Sequence, residues 1–310
     1  MTESLVAATG LVYGSADERT HVRMHFVEAG LVARAAAAAS SLGRDLDLHV
    51  EDVVVVQNSN TLALRLLPCD VFARTALVGQ EVAAFEVLVA QDLGAVSAPI
   101  ASLDPRVEPR VYERDDFAVT FWTYYESVTD TASPARYANA LHRLHAAMQS
   151  IEVEAPHFTE RIAAAEGLLT NRHETPALVD ADRTLLLDTL RGGREAICRR
   201  VNADQLLHGE PHPGNLLGTR NGLLFIDFET CCRGPIEFDV AHVPEEVSGR
   251  YPGVDPLLLQ ECRRLVLAMV AAWRWDERDE FPNGRRHGLN ILDLLRNGPP
   301  WPALGPFSTG

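Results

Sequence analysis

Residues 206–239 constrain this chain more than any other stretch. Residues 208–215 read H-G-E-P-H-P-G-N, and two prolines with two glycines in eight positions exclude both helix and strand interior. An irregular loop must therefore carry the polar groups found there. Apolar runs flank Asn221 and Gly222, a strong dipeptide signal for a tight hairpin, and the second run, Leu223, Leu224, Phe225 and Ile226, ends on Asp227. Such a hairpin brings Glu210, Asn215 and Asp227 to one end. Three oxygen-bearing side chains beside a rigid loop suit a hard cation that keeps some of its waters, which points to Mg2+ shared with substrate phosphates.

The spacing resembles the catalytic core of the aminoglycoside phosphotransferase family, small-molecule relatives of the protein kinases, in which a loop H-G-D-x-x-x-x-N is followed by an Asp after a short hairpin. His208, Gly209, Asn215 and Asp227 match that pattern, and Glu210 stands where the family has Asp. The resemblance implies an α+β, protein-kinase-like two-lobe fold. A small antiparallel-sheet lobe with an N-terminal helix would span residues 1–124, a larger, mostly helical lobe holding the catalytic loop would span 125–297, and 298–310 would form a tail. It further implies ATP as co-substrate, with GTP an open alternative, and Mg2+ on Asn215 and Asp227. Glu210 would accept or orient a substrate hydroxyl, and His208 would fix the loop.

The rest of the chain can be laid on this scheme in order. Residues 22–41 are rich in Ala and predict a helix. Three β-prone runs over residues 53–56, 61–64 and 71–73, separated by polar turns, predict two consecutive hairpins. In kinases the first such turn covers the nucleotide phosphates and is rich in glycine. This one has none, which leaves Ser59 and Asn60, with Asn58, either to meet phosphate by side chain or to form an ordinary turn. The kinase Lys of the third strand is also missing. Arg74 is the best positional match and Arg65 the second; an Arg keeps the charge and grips phosphate bidentately.

A helix over residues 78–93 places Glu86, Ala90 and Leu93 on the family's E-x-x-x-L-x-x-L pattern, so Glu86 is the expected partner of the Arg, with Glu81 the alternative. The aromatic run over residues 117–125 resembles the hinge between lobes, where backbone around Trp122, Thr123 and Tyr124 would hydrogen-bond the nucleotide base. Ser133 and Pro134 read as cap and first residue of the next helix, which carries Leu144 and a buried His145. Residues 159–200 predict two or three amphipathic helices in which no side chain stands out. Asp239, in a G-P-x-x-x-D segment, is expected to brace the loop.

Composition bounds the partners. The chain has 310 residues, 46% of them apolar, and a formal charge of 28 − 43 = −15, which argues against nucleic acid and anionic membranes as partners. A small hydroxylated, cationic acceptor is compatible with that charge, which also serves solubility. The absence of a long apolar run and of a signal-peptide pattern predicts a soluble, cytoplasmic protein. Five cysteines without C-x-x-C spacing predict buried thiols. The segment over residues 273–280, W-R-W-D-E-R-D-E, reads as a solvated charge run or as lining for a cationic substrate. The oligomeric state is left open. Two further classes stand beside the kinase reading. Glu210, the missing turn glycines and the Arg for Lys suggest a kinase-fold protein that binds nucleotide or a small molecule with weak or no turnover. His208 with Glu210 matches half of a zinc deaminase motif, but its P-C-x-x-C is absent, Cys231 and Cys232 being adjacent, and His208 with His212 has the spacing of a helical zinc site in a stretch where Gly209 and Pro211 argue against a helix.

Overall fold

The computed structural model describes residues 29–58, 61–79, 82–128, 133–201 and 203–304. It opens with helix α1 (Ala29–Asp45) and strands β1 (Val50–Asn58), β2 (Leu62–Pro68) and β3 (Val71–Leu77). Helix α2 (Val82–Ala95) precedes β4 (Tyr112–Arg114) and β5 (Phe117–Thr123). Helices α3 (Pro134–Met148), α4 (Phe158–Thr170) and α5 (Asp180–Arg200) lead to short strands β6 (Gln205–Leu207), β7 (Leu216–Thr219), β8 (Gly222–Phe225) and β9 (Cys232–Gly234). The chain closes with α6 (Ile236–Val240), α7 (Glu245–Ser248), α8 (Pro256–Arg274) and α9 (Gly284–Asn297).

The first five strands form one antiparallel sheet in the order β1-β2-β3-β5-β4. Strand side chains alternate between faces, so the register assigns each residue a side. Leu62, Leu64 and Leu66 of β2, Val71 and Ala73 of β3, and Val119 and Phe121 of β5 share a core with Ala35, Ala38, Ala39 and Leu42 of α1. These four α1 positions are spaced i, i+3, i+4, i+7, one apolar stripe of a helix. The opposite face carries Ala63, Arg74 and Thr120 in one cross-strand row and Arg65, Phe72 and Trp122 in the next. This second face looks toward the helical lobe, because Trp122 belongs to the larger core and Phe72 packs against it.

The larger core is organised by α8, whose Cys262, Leu265, Val266, Met269 and Ala272 are buried with Leu186, Leu190 and Ile197 of α5 and Ile291 and Leu292 of α9. Helix α8 starts where Asp255 caps it, accepting from the Leu257 N–H at 2.8 Å, with Pro256 at the first position. Ser133 caps α3 in the same way, accepting from the Arg136 N–H at 3.4 Å.

Several boundaries differ from the sequence expectation. Helix α1 is described from Ala29, so residues 22–28 of the expected helix lie outside the described residues. The helix expected from Val78 begins at Val82, after Gly79 with φ 98°. In the β7–β8 hairpin the paired residues are Thr219 and Gly222, so Arg220 and Asn221 make the two-residue turn and Gly222, with φ 133°, opens the returning strand. Among the described residues no helix is long and apolar enough to cross a membrane.

The small core depends on few side chains, and Leu64 is fully buried in it. Leu64→Ala is expected to cost about 2–5 kcal/mol. The check is urea unfolding, which should show a lower midpoint at an unchanged slope.

Candidate active site

Strand β6 pairs with β9 through Leu207 and Cys232, and the loop of residues 208–215 leaves β6 at that point. Gly209 has φ 90°, and a Cβ there would lie 2.0 Å from the Thr230 carbonyl oxygen, so only glycine fits. Asp239 fixes the backbone of this turn. Its Oδ2 accepts the His208 N–H at 2.9 Å and its Oδ1 accepts the Gly209 N–H at 2.8 Å. His145 Nε2 also meets Oδ2 at 2.9 Å, while His145 Nδ1 meets the Tyr251 hydroxyl at 2.6 Å. Burial by itself would raise the Asp239 carboxyl pKa. The hydrogen bond and charge of His145 overcome this and hold it below the usual carboxylate range.

His208 is fully buried, with its Nε2 3.0 Å from the Ile226 carbonyl oxygen. A carbonyl only accepts, so Nε2 carries the proton, leaving Nδ1 to accept the Glu210 N–H at 3.4 Å. Burial lowers the pKa of this imidazole, which is neutral and braces the loop against the end of β8. Asn215 joins the same frame. Its Nδ2 donates to the Glu210 carbonyl at 3.0 Å and its own carbonyl accepts the Ile226 N–H at 3.1 Å. Its Oδ1 is buried without a hydrogen-bond partner. A buried, unsatisfied carbonyl-type oxygen is costly unless a ligand completes it.

Asp227 follows β8 in the left-handed region, φ 69°. Its carboxylate accepts from Arg74 Nη2 at 3.2 Å. Arg74 also pairs with Glu86, and its Nη2 lies 3.9 Å from Glu229 Oε2. Glu86 in turn accepts the Phe228 N–H at 3.2 Å, which ties α2 to the segment after β8. Burial would lower the Arg74 pKa, but the three carboxylates raise it above its ordinary value. Burial and the neighbouring Asp227 charge push the Glu229 carboxyl well up, and burial raises that of Glu86 against the pull of Arg74. One guanidinium among three carboxylates leaves room for further positive charge. With the oxygen of Asn215, the donor set is all oxygen, as Mg2+ requires when phosphates complete its shell.

Glu210 is only 2% exposed and forms an ion pair with Arg161 of α4, whose other guanidinium nitrogen donates to the Gly209 carbonyl at 2.7 Å. The sequence reading singled out neither Arg161 nor Glu229. The signal for Arg161 was present, since Phe158, Arg161, Ile162 and Ala165 share one helical face and a charge in that row marks a buried ion pair. Glu229 stands two residues after Asp227 and is visible only once the short helical turn after β8 folds it back toward Arg74.

The structure separates the other candidates. Arg65 does not join the cluster: it pairs with Asp70 at 2.7 Å and covers the Tyr124 ring at 4.0 Å. Trp122 is buried with its Nε1 donating to Thr120, and the Thr123 N–H is committed to the Ser102 carbonyl at 2.9 Å. Ser59, Asn60 and Glu81 lie outside the described residues. The acidic, aromatic segment is internally paired, Arg274 with Asp279 and Arg278 with Asp276, and Arg278 reaches Glu174 beside α4. Zinc finds no suitable ligands here. His208 Nε2 is a donor to Ile226, His212 Nδ1 accepts from the Gly214 N–H at 3.0 Å, and burial pushes the Cys232 thiol up to about 12. Among the described residues no group of three His, Cys, Asp or Glu is arranged to hold a metal.

Residues 49–281 match the sequence profile of the phosphotransferase enzyme family, APH. The chain belongs to this family. Its fold is shared by a choline/ethanolamine kinase family protein from Mesorhizobium loti, with TM-score 0.62 and 15% identity over 88% of this chain and 95% of that one. The amicoumacin kinase hAmiN, solved with AMP-PNP, Ca2+ and Ami, has TM-score 0.63 and 12% identity over 87% and 93% of the two chains. APH(2")-IIia, solved with GDP and kanamycin, has TM-score 0.62 and 14% identity over 83% and 97%. No curated protein sequence matches the chain. The shared architecture is the protein-kinase-like fold of small-molecule kinases.

Two outcomes follow from the frame of the loop. Gly209→Ala should disrupt it, because backbone rather than a flexible side chain occupies the Cβ position, and a large loss of soluble, cooperatively melting protein is the expected result. His242 is buried, and burial drops its pKa to about 3, so below the ordinary imidazole value of 6.5 the unfolded chain takes up a proton that the folded chain refuses. Stability should therefore fall as pH drops from 6.5 toward 3, by up to about 1.4 kcal/mol per pH unit from this group. Denaturant titrations across that range should show a shallower decline in His242→Gln.

Proposed function

We propose that this chain transfers the γ-phosphoryl group of ATP to a hydroxyl of a small molecule. The observation that carries this reading is the convergence of Arg74, Glu86 and Asp227 in one partly buried cluster, with Asn215 built into the hairpin frame next to it. Arg74, aimed by Glu86, presents a fixed guanidinium to the α and β phosphates. Asn215 and Asp227 would hold Mg2+, which supplies charge neutralisation on the phosphates when bound. Ala63 and Phe72 on the same sheet face give the nucleotide base an apolar wall. Glu210 orients the acceptor hydroxyl. As the acceptor oxygen bonds to the γ-phosphorus and the bond from that phosphorus to the ADP oxygen breaks, Glu210 receives the hydroxyl proton. A cytoplasmic location, where ATP or GTP is supplied, accords with the reading. Relatives named for choline, amicoumacin and aminoglycosides make hydroxylated amines the first acceptors to test, and the net charge of −15 favours cations.

A second reading, a kinase-fold protein that binds nucleotide with little or no turnover, is favoured by one observation: Glu210 is buried in an ion pair with Arg161. Turnover decides between them. ADP release from MgATP or MgGTP, with kanamycin, choline and ethanolamine as acceptors, is expected for the wild type. Asp227→Ala should lower kcat/KM by roughly 100-fold or more, and Arg74→Ala should raise KM for nucleotide by roughly 10-fold or more. Full activity in Asp227→Ala would overturn the first reading. Wild-type turnover lost in Glu210→Ala would dispose of the second.

A further inference from the structure

Arg161 stands outside the residues assigned to phosphate and cation, yet it is 4% exposed and spends both ends of its guanidinium on the catalytic loop. Its place is fixed from behind. Phe158, three residues earlier on α4, packs on Phe238 at 5.4 Å between ring centroids, and the Arg161 guanidinium lies 5.5 Å from the same Phe238 ring. One nitrogen holds the Gly209 carbonyl at 2.7 Å and the other holds the Glu210 carboxylate. A single planar group therefore spans the backbone of one residue and the side chain of the next.

That geometry bears on the most unusual feature of the loop, Glu where the H-G-D pattern has Asp. A Glu has an extra rotatable bond, so its carboxylate reaches further and has more positions to choose among. A buried carboxylate also needs a cation to remain charged and ordered. The rigid fork of an Arg meets both needs, because it sets the carboxylate at a fixed distance from the loop's own backbone; a Lys ammonium, a point charge on a flexible stem, cannot make both contacts in the same way. We propose that Arg161 is the positioning residue for Glu210, and that the two are a matched pair through which a Glu serves at this place in the loop.

The proposal rests on the phosphotransferase reading and concerns the acceptor side alone, so its mark is a loss in kcat that leaves nucleotide binding intact. The test compares wild type, Arg161→Met, Arg161→Lys, Glu210→Asp and the double variant Arg161→Met with Glu210→Asp. ADP release is followed at saturating MgATP with kanamycin or choline as acceptor, and with water where neither is used. Affinity for Mg2+ and AMP-PNP is measured by calorimetry, and stability by urea unfolding. Arg161→Met should lose roughly 100-fold in kcat with KM for ATP and AMP-PNP affinity unchanged. Arg161→Lys should recover part of the loss. Glu210→Asp, too short to reach the guanidinium, should lose as much as Arg161→Met, and the double variant should lose no more than either single one.

Full kcat in Arg161→Met would overturn the proposal. So would losses that add in the double variant, full kcat in Glu210→Asp, or a parallel fall in kcat, nucleotide affinity and urea midpoint, which marks a purely structural side chain. Should Arg161→Met fail to fold, Arg161→Lys and Glu210→Asp carry the same comparison. A wild type that releases no ADP under any of these conditions strikes at the phosphotransferase reading and takes this proposal with it; an active wild type indifferent to Arg161 strikes at the proposal alone.

Discussion

The carboxylate of Asp239 is the constraint on which the site depends. It lies fully buried, and three donors converge on it: two backbone N–H groups from consecutive loop residues and one imidazole. A carboxylate in that position orients peptide planes, and the planes at His208 and Gly209 decide where Glu210 and Asn215 begin. The glycine is required because the second of those planes turns at positive φ against the Thr230 carbonyl. His208 then ties the loop to the hairpin that ends on Asp227. Loop, hairpin and brace form one frame, and its rigidity comes from charge-assisted hydrogen bonds in a place that water does not reach.

Charge balance sets the chemistry of the site. Arg74 meets Glu86, Asp227 and Glu229 in one cluster, and Arg161 meets Glu210 in another. In the first the carboxylates outnumber the guanidinium, and the proton affinity of Glu86 and Glu229 is raised, chiefly by burial and further by the charge of Asp227. Added positive charge, whether a proton or a cation, would relieve that surplus of carboxylates. The second cluster, one guanidinium with one carboxylate, is already balanced.

Much of this was legible in the sequence, and the reasons are local. Proline and glycine spacing announced the loop, Asn221 and Gly222 announced the hairpin within one residue of its true turn, and β-branched runs announced the sheet. Arg74 and Glu86 are placed by strand and helix positions that a pattern can carry. What escaped was set by tertiary approach. Arg161 is remote from Glu210 in sequence, and only the packing of Phe158 on Phe238 brings α4 to the loop. The commitment of the Thr123 N–H to Ser102 likewise depends on how the segment before β4 folds back, which no local signal encodes.

Helix α2 lies between β3 and β4 in the chain, yet Val89, Ala90 and Leu93 are buried in the core of the helical lobe and Glu86 receives the Phe228 N–H. In packing, the helix travels with the larger body, and the sheet with α1 has a core of its own. Arg74, on the sheet, is thus a latch onto Glu86 and Asp227 of the larger body. Any rocking of the sheet against the larger body must part that guanidinium from its carboxylates or drag α2 from its bed, so the freedom of one body against the other is set by the partners of one arginine.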